Sequence, residues 1–388
     1  EERRKAVNMK NTKYMADKQN GYRKRERNTL LYLLLFVFSS MFCALRSLLF
    51  AFSILFITIS FTLFAFSEAY AVLQPHGFKI AIFPFENFSE DKEAITITIP
   101  VLREKLGSMG YEILDDESMN KFMIKERIRT TGCVCHDIAM KIGKELNVQA
   151  ILTGTINTYI KGDNPQYGLT LRLITTTDGS IIWAEHSAGT GEDFTGILEI
   201  GKVKSIERLT EKILNKALKS FSISLPKKES ESVYKIAVMP FQNMSKIKDT
   251  GNIVTYMFLT ELFKNKKYFP VEYGEVRRLI VDLRVREKGE LDMNHVAEIA
   301  QKAGIDAILV GSIDTYRSGS GTDIAPEAEI SARLIDARKN KVIWCNTFQV
   351  KGDDDIFMLD WGRIRSVENA AYKAVKKLVK DMEKAKWQ

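Results

Sequence analysis

Apolar positions along this chain change period several times, and then the whole series starts again. Residues 79–85 form a short apolar run ending at Pro84, which cannot donate to a ladder and belongs at a strand end. Asn87 or Ser89 can cap the next element. Over 99–109 the apolar residues fall at helical spacing and stop at Gly110, which predicts a helix with a glycine after its end. Residues 111–114 read as a short strand. Over 137–146, Ile138, Ile142 and Leu146 share one helix face. Three strands are then predicted over 150–160, 167–176 and 180–186, the last two joined by Asp178-Gly179, a strong hairpin signal. An amphipathic helix over 204–221 closes the unit.

The second series matches the first in order and in residues. Lys79-Ile-Ala-Ile-Phe-Pro-Phe-Glu-Asn-Phe-Ser89 recurs 156 residues later as Lys235-Ile-Ala-Val-Met-Pro-Phe-Gln-Asn-Met-Ser245. Ala150-Ile-Leu-Thr-Gly matches Ala307-Ile-Leu-Val-Gly at an offset of 157, and Arg172-Leu-Ile matches Arg333-Leu-Ile at 161. Trp183 pairs with Trp344, and Gly191, Ser205 and Glu207 pair with Gly352, Ser366 and Glu368, also at 161. Collinear matches with so little drift indicate an internal duplication. The expected fold class is α/β: two tandem, mutually similar α/β domains, each with a mixed sheet flanked by helices, after an N-terminal signal or anchor segment. The boundaries are 78–223 and 234–388, with a polar linker at 224–233.

Charge separates the leader from this body. The first 71 residues carry eleven Lys and Arg against five acids, a surplus of six in a chain whose total is +8. The body is therefore close to neutral, which excludes the one-sided Lys/Arg surface that nucleic-acid binding requires. Between Arg27 and Glu68 the one charged residue is Arg46, and Ala69-Tyr70-Ala71 supplies the small-x-small pattern of a signal peptidase site. Residues 41–71 are read as a signal peptide cleaved after Ala71, or as an uncleaved membrane anchor, since the apolar stretch is long for a signal. Residues 1–40 are a basic, polar leader or an over-extended gene start. Export to the periplasm is expected from either reading of 41–71.

The ordered set K-I-A-V-x-P-F-x-N-x-S, A-I-L-x-G-(T/S)-I-x-T-Y and R-L-I…I-I-W, present in both copies, resembles the CsgG/TolB-amino-terminal/LpoB-like group of bacterial envelope domains. The resemblance rests on Pro84, Phe85, Asn87, Gly154 and Trp183 in the first copy and Pro240, Phe241, Asn243, Gly311 and Trp344 in the second. It implies a non-enzymatic assembly or secretion scaffold, or a regulator of an envelope enzyme, acting through contacts with envelope proteins or with itself as a homo-oligomer. It implies a place in the periplasm or on the periplasmic side of the outer membrane. A secretion pore would need β-hairpins with strands of about 9–11 residues crossing lipid. The segments 161–166, 177–179 and 317–325 are too short and polar for that.

Candidate chemistry is sparse. Gly196-x-x-x-x-Gly201-Lys202 nearly spells a phosphate loop, but Val203 stands where Ser or Thr should hold magnesium. Cys133-Val-Cys135-His136 is one residue short of a c-type haem motif, and no second cluster completes a zinc shell. These residues are the candidates for a metal contact, no metal site is assigned, and no cofactor is expected. Their thiols could pair, with each other in a strained ring or with Cys345. His76, His136, His186 and His295 share no metalloprotease spacing, and no nucleophile elbow occurs. Asp353-Asp354-Asp355 lacks the alternation of a calcium loop. The alternative function is a two-lobed periplasmic receptor closing on a small molecule. A cell-wall hydrolase ranks last, because no acid pair or activated nucleophile can be nominated.

Overall fold

The computed structural model describes residues 77–195, 201–223, 234–265, 267–283, 293–319, 324–356, 362–385 and 387, together with 38, 46, 49–50 and 52–58. The chain divides into two compact units, residues 1–74 and 75–388. In the first, residues 52–58 are helical with exposed apolar side chains such as Phe52 and Phe56. Most of the expected signal, its Ala71 site and the linker 224–233 lie outside the described residues. Among the described residues no helix is long and apolar enough to cross a membrane.

The second unit holds both copies. The first runs β1 (Lys79–Ile82), β2 (Glu86–Asn87), α1 (Glu93–Ser108), β3 (Glu112–Ile113), α2 (Asp116–Lys125), α3 (His136–Leu146), β4 (Ala150–Ile160), β5 (Gln166–Thr175), β6 (Ile181–Thr190) and α4 (Ile206–Leu218). The second repeats the order as β7 (Tyr234–Val238), β8 (Gln242–Asn243), α5 (Thr250–Lys264), β9 (Tyr268–Pro270), α6 (Tyr273–Asp282), α7 (Met293–Ala303), β10 (Ala307–Arg317), β11 (Glu327–Asp336), β12 (Lys341–Lys351) and α8 (Val367–Met382). Each copy builds a six-stranded sheet, in the order β3-β1-β4-β5-β6 and, from the opposite edge, β12-β11-β10-β7-β9. β2 and β8 pair with β4 and β10 off these paths. β1 lies parallel to β3 and β4 while β4, β5 and β6 are antiparallel, so each sheet is mixed. The expected α/β class with two similar sheet domains is the architecture observed.

The repeated motif has a packing reason. Asn87 accepts from the backbone N–H and hydroxyl of Ser89 and donates to the Asp91 carbonyl at 2.7 Å. Asn243, Ser245 and Ile247 repeat the same loop. The preceding Phe swings its ring onto the central strand, which must be bare there. A Cβ on Gly154 would come within 2.5 Å of the Thr170 carbonyl and 2.9 Å of the Phe85 ring. On Gly311 it would come within 2.2 Å of both the Phe241 ring and the Ser331 carbonyl. Trp183 and Trp344 are buried at matching positions, their indole N–H groups donating to the Ser220 carbonyl and to Asp381.

Local differences from the sequence reading have identifiable causes. α1 starts at Glu93 rather than at 99, passing through Pro100, because Ala94, Thr98, Leu102 and Leu106 form one buried stripe. The stripe outweighs the break that an internal proline implies. Asn87 orders the loop ahead of α1 and does not cap it; the N-cap position is Lys92, which makes no side-chain cap. The apolar pattern does not predict α2, although Asp115, whose carboxylate accepts from the Ser118 N–H at 2.7 Å, is a standard cap. β6 runs on to Thr190, beyond the expected end at 186. Gly311→Ala is expected to destabilise the protein by about 1–3 kcal/mol through forced displacement of its neighbours. Urea denaturation of the variant against wild type checks this.

Candidate functional site

In β5 the side chains of Tyr167, Leu169, Leu171 and Leu173 face the core under α1 and α4. The alternate residues, Gly168, Thr170 and Arg172, therefore face the other way. With Thr155 and Asn157 of β4 and His186 of β6 they make a polar row on the far face of the first sheet. That face is closed by the second copy. α5 lies across it, and eleven of the 15 residues of α5 are buried, so the helix is enclosed between two sheets rather than lying on one. Its counterpart α1 has four buried residues of 16.

The seam between the copies is polar and buried. Arg172, at 0% exposure, donates from Nε to Glu272 Oε2 at 3.0 Å and from Nη2 to Glu272 Oε1 and the Gly132 carbonyl. Its guanidinium lies 4.3 Å from the centre of the Tyr256 ring, a cation–π contact. Glu272 precedes α6 at the position where Asp115 caps α2. It makes no cap and reaches across the seam instead. A second cluster surrounds Glu368 at the start of α8. Asn157 donates to its carboxylate at 2.7 Å and to the Thr170 hydroxyl at 3.1 Å. Thr170 contacts His186 Nδ1 at 3.1 Å, and the His186 ring lies 4.2 Å from that of Tyr372. A Cβ on Gly168 would overlap the Glu368 carboxylate, so this position must be glycine for the seam to close. Burial raises the Glu368 carboxyl to about 7 and pushes the His186 imidazole well below its ordinary value.

The cysteine segment is part of the same seam. Cys133 is buried in the second copy's core, and burial raises its thiol to about 11. A Cβ on Gly274 would come within 2.4 Å of the Val134 backbone, so the segment lies flat against the start of α6. Cys135 precedes α3, and His136 Nδ1 lies 2.8 Å from the Asp178 carbonyl. Cys133, Cys135 and Cys345 are all free, so neither the strained ring nor the pairing with Cys345 forms. Among the described residues no group of three or more His, Cys, Asp or Glu could hold a metal ion. Gly196 and His76, and the side chain of His295, lie outside the described residues.

In the second copy the equivalent row is uncovered. Ser312, Asp314, Ser331, Arg333 and Thr347 occupy the positions of Thr155, Asn157, Thr170, Arg172 and His186, and they keep the same chain of hydrogen bonds. Ser312 and Ser331 donate to Asp314, and Ser331 contacts Thr347 at 2.9 Å. Here, however, Arg333, Cys345, Thr347 and Gln349 are exposed. An open basin of about 360 Å³ lies on this face, lined by Gln242, Gly311, Ser312, Ser331, Ala332, Arg333, Cys345, Asn346 and Thr347. This face is the candidate site. Repeat matching picks out the equivalence of Arg172 and Arg333 but not their different surroundings, because a single sequence does not show which copy covers which.

No protein-family profile matches the chain, and no curated protein matches it. Solved structures similar to part of it include the PelC dodecamer from Paraburkholderia phytofirmans, at 17% identity and TM-score 0.27 over 39% of this chain and 92% of that one. A lipoprotein from Neisseria meningitidis is 18% identical, with TM-score 0.28 over 39% of this chain and 97% of its own. The LpoB C-terminal domain from Salmonella enterica is 18% identical, with TM-score 0.24 over 35% and 90%. Likeness at these scores assigns neither a partner nor an activity.

The covered and open arginines should respond differently to substitution. Arg172→Met strands Glu272 and is expected to cost about 3–5 kcal/mol. Arg333→Met, at the matching open position, is expected to change stability by less than about 0.5 kcal/mol. Urea titration of both variants tests the contrast. Separately, Glu368 keeps its proton to about pH 7 in the folded chain against an ordinary value of 4.5, so across that window the folded state binds more protons and stability falls as pH rises. Glu368→Gln should remove this slope and raise Tm at about pH 8 while changing little near pH 5, as thermal melts across that range will show.

Proposed function

We propose that this chain is an exported, non-enzymatic component of the bacterial envelope, an assembly scaffold or regulator that works through the open face of its second sheet. The observation that carries the reading is the pair of equivalent polar rows, one sealed under a protein surface and the other exposed. In the first copy this row is a protein-binding surface, because α5, Glu272 and Glu368 occupy it. The second row retains the hydroxyl chain and the arginine, and so retains the means of binding protein. The leader with its small-x-small site supports export. The location that the family resemblance implies, on the periplasmic side of the envelope, agrees with that leader.

The receptor alternative calls for two lobes with a ligand-sized cleft between them. The seam between these copies is filled by Arg172, Tyr256, Cys133 and Glu272, and leaves no opening of that kind at the contacts described. A catalytic reading would need an activated nucleophile or a convergent acid pair; on the open face Ser312 and Ser331 share the single carboxylate of Asp314, and no histidine lines the basin.

A photoreactive amino acid placed at Thr347, on the open face, should give discrete adducts with protein in intact cells. The same residue placed at Lys144, exposed in the last turn of α3, should not. Absence of adducts at Thr347 would end the contact-face reading.

A further inference from the structure

The seam inside the chain is heterologous: a sheet face of the first copy meets the helices of the second. Among the described residues such an interface leaves one unmatched face at each end, here the open sheet face of the second copy and the outer side of α1 with the start of α4 in the first. We propose that these two faces meet between chains, so that a second copy of this chain docks head to tail by repeating the contact that joins its own halves. The proposal rests on the reading of the open sheet as a contact face and names its occupant.

Residue equivalence supplies the argument. Across the internal seam Arg172 pairs with Glu272; across the proposed junction Arg333 would meet Asp115, which is exposed and acidic at the position of Glu272. Internally, Arg365 lies 3.8 Å from both Glu192 and Asp193. At the junction Lys204, at the position of Arg365, would meet Asp353 and Asp354, at the positions of Glu192 and Asp193, and all three residues are exposed. The third correspondence changes both sides together. Asn369 reaches over to the Ala188 carbonyl, beside Gly168 in the sheet register; at the junction Arg208 replaces Asn369, and Glu329 beside Gln349 replaces Gly168 beside Ala188. A bulkier, charged residue on the sheet is thus matched by a bulkier residue of opposite charge on the helix. One pair opposes the others, since Glu207 would approach Asp314 where Glu368 meets Asn157. Between these polar contacts α1 presents Ile97, Pro100 and Val101, incompletely buried, where α5 presents the buried Ile253, Tyr256 and Met257.

Complementary reversal tests this geometry. The full chain, extracted in mild detergent, is compared by sedimentation velocity over a concentration series with Arg333→Glu, with Asp115→Arg, and with a one-to-one mixture of the two variants. Wild type is expected to associate, each variant alone to lose at least about tenfold in apparent association, and the mixture to recover, because each chain then offers the other a matched pair. Asp115→Arg also removes the cap of α2, so Lys204→Glu and Asp353→Lys form a second set that touches no cap and is held to the same criterion. A wild-type chain that stays monomeric overturns the proposal, as does association that ignores all four substitutions or a mixture that does not recover. Adducts at Thr347 to a different envelope protein, with a monomeric wild type, would overturn the self-docking while leaving the contact-face function standing.

Discussion

Arg172 is the residue on which the arrangement of the two copies turns. Placing a guanidinium out of reach of water costs several kcal/mol, and that cost is offset only where the geometry supplies a carboxylate, further acceptors and a polarisable face. Glu272, the Gly132 carbonyl and the Tyr256 ring supply them, and two of the three come from the other copy. Apolar burial alone would hold α5 against the first sheet in many orientations. The ion pair and the Asn157–Glu368 hydrogen bond select one of them, because a shift of one residue would leave buried charges without partners.

The same polar row appears twice, and its substitutions track its fate. The covered row has Gly168, Asn157, His186 and Ala184, residues that are small or that can be buried neutral. The open row has Glu329, Asp314, Thr347 and Cys345, of which the two acids would be costly to bury unpaired. Burial accounts for the shifted Glu368 and His186 as well: His186 lies in the covered row and Glu368 against it, and desolvation is the largest cause for each. Apart from Arg172, which has Glu272 as its partner, charge on these two rows is placed according to which sheet face meets water.

Much of the fold can be read from the sequence, because it depends on local pattern and on the duplication. Residues 150–160 form the expected strand, buried along nearly its whole length, and the Phe–Gly contact beneath the repeated motif explains why Phe85, Phe241, Gly154 and Gly311 recur together. Pattern alone misplaces the start of α1 because Ile95, Ile97 and Ile99 alternate like a strand, while tertiary burial selects the stripe four residues apart that begins at Ala94. The seam is invisible for a different reason. Arg172, Tyr256, Glu272 and Glu368 are spread over 197 residues, and no periodicity links an arginine in one copy to a carboxylate in the next. The cysteine segment stands out chemically but has a packing role, since a thiol buried among Glu272, Arg172 and Arg277 is a poor nucleophile and a poor ligand.

A seam of this kind has different consequences within a chain and between chains. Within the chain the copies are covalently joined, so their contact forms at a high effective concentration, and a marginal interface becomes a permanent one. That allows the internal seam to carry buried charges, whose net contribution to stability is small even when their geometry is good. A contact between separate chains has no such help and must also overcome the loss of translational freedom. Complementary pairs at its edge, such as Arg333 with Asp115 or Lys204 with Asp353, guide encounter and orientation more than they add affinity. The opposition of Glu207 and Asp314 near its centre weakens it further. One architecture, used twice, would then give a fixed joint inside each chain and a reversible one between chains, with the difference set by linkage and by a few side chains on a single sheet face.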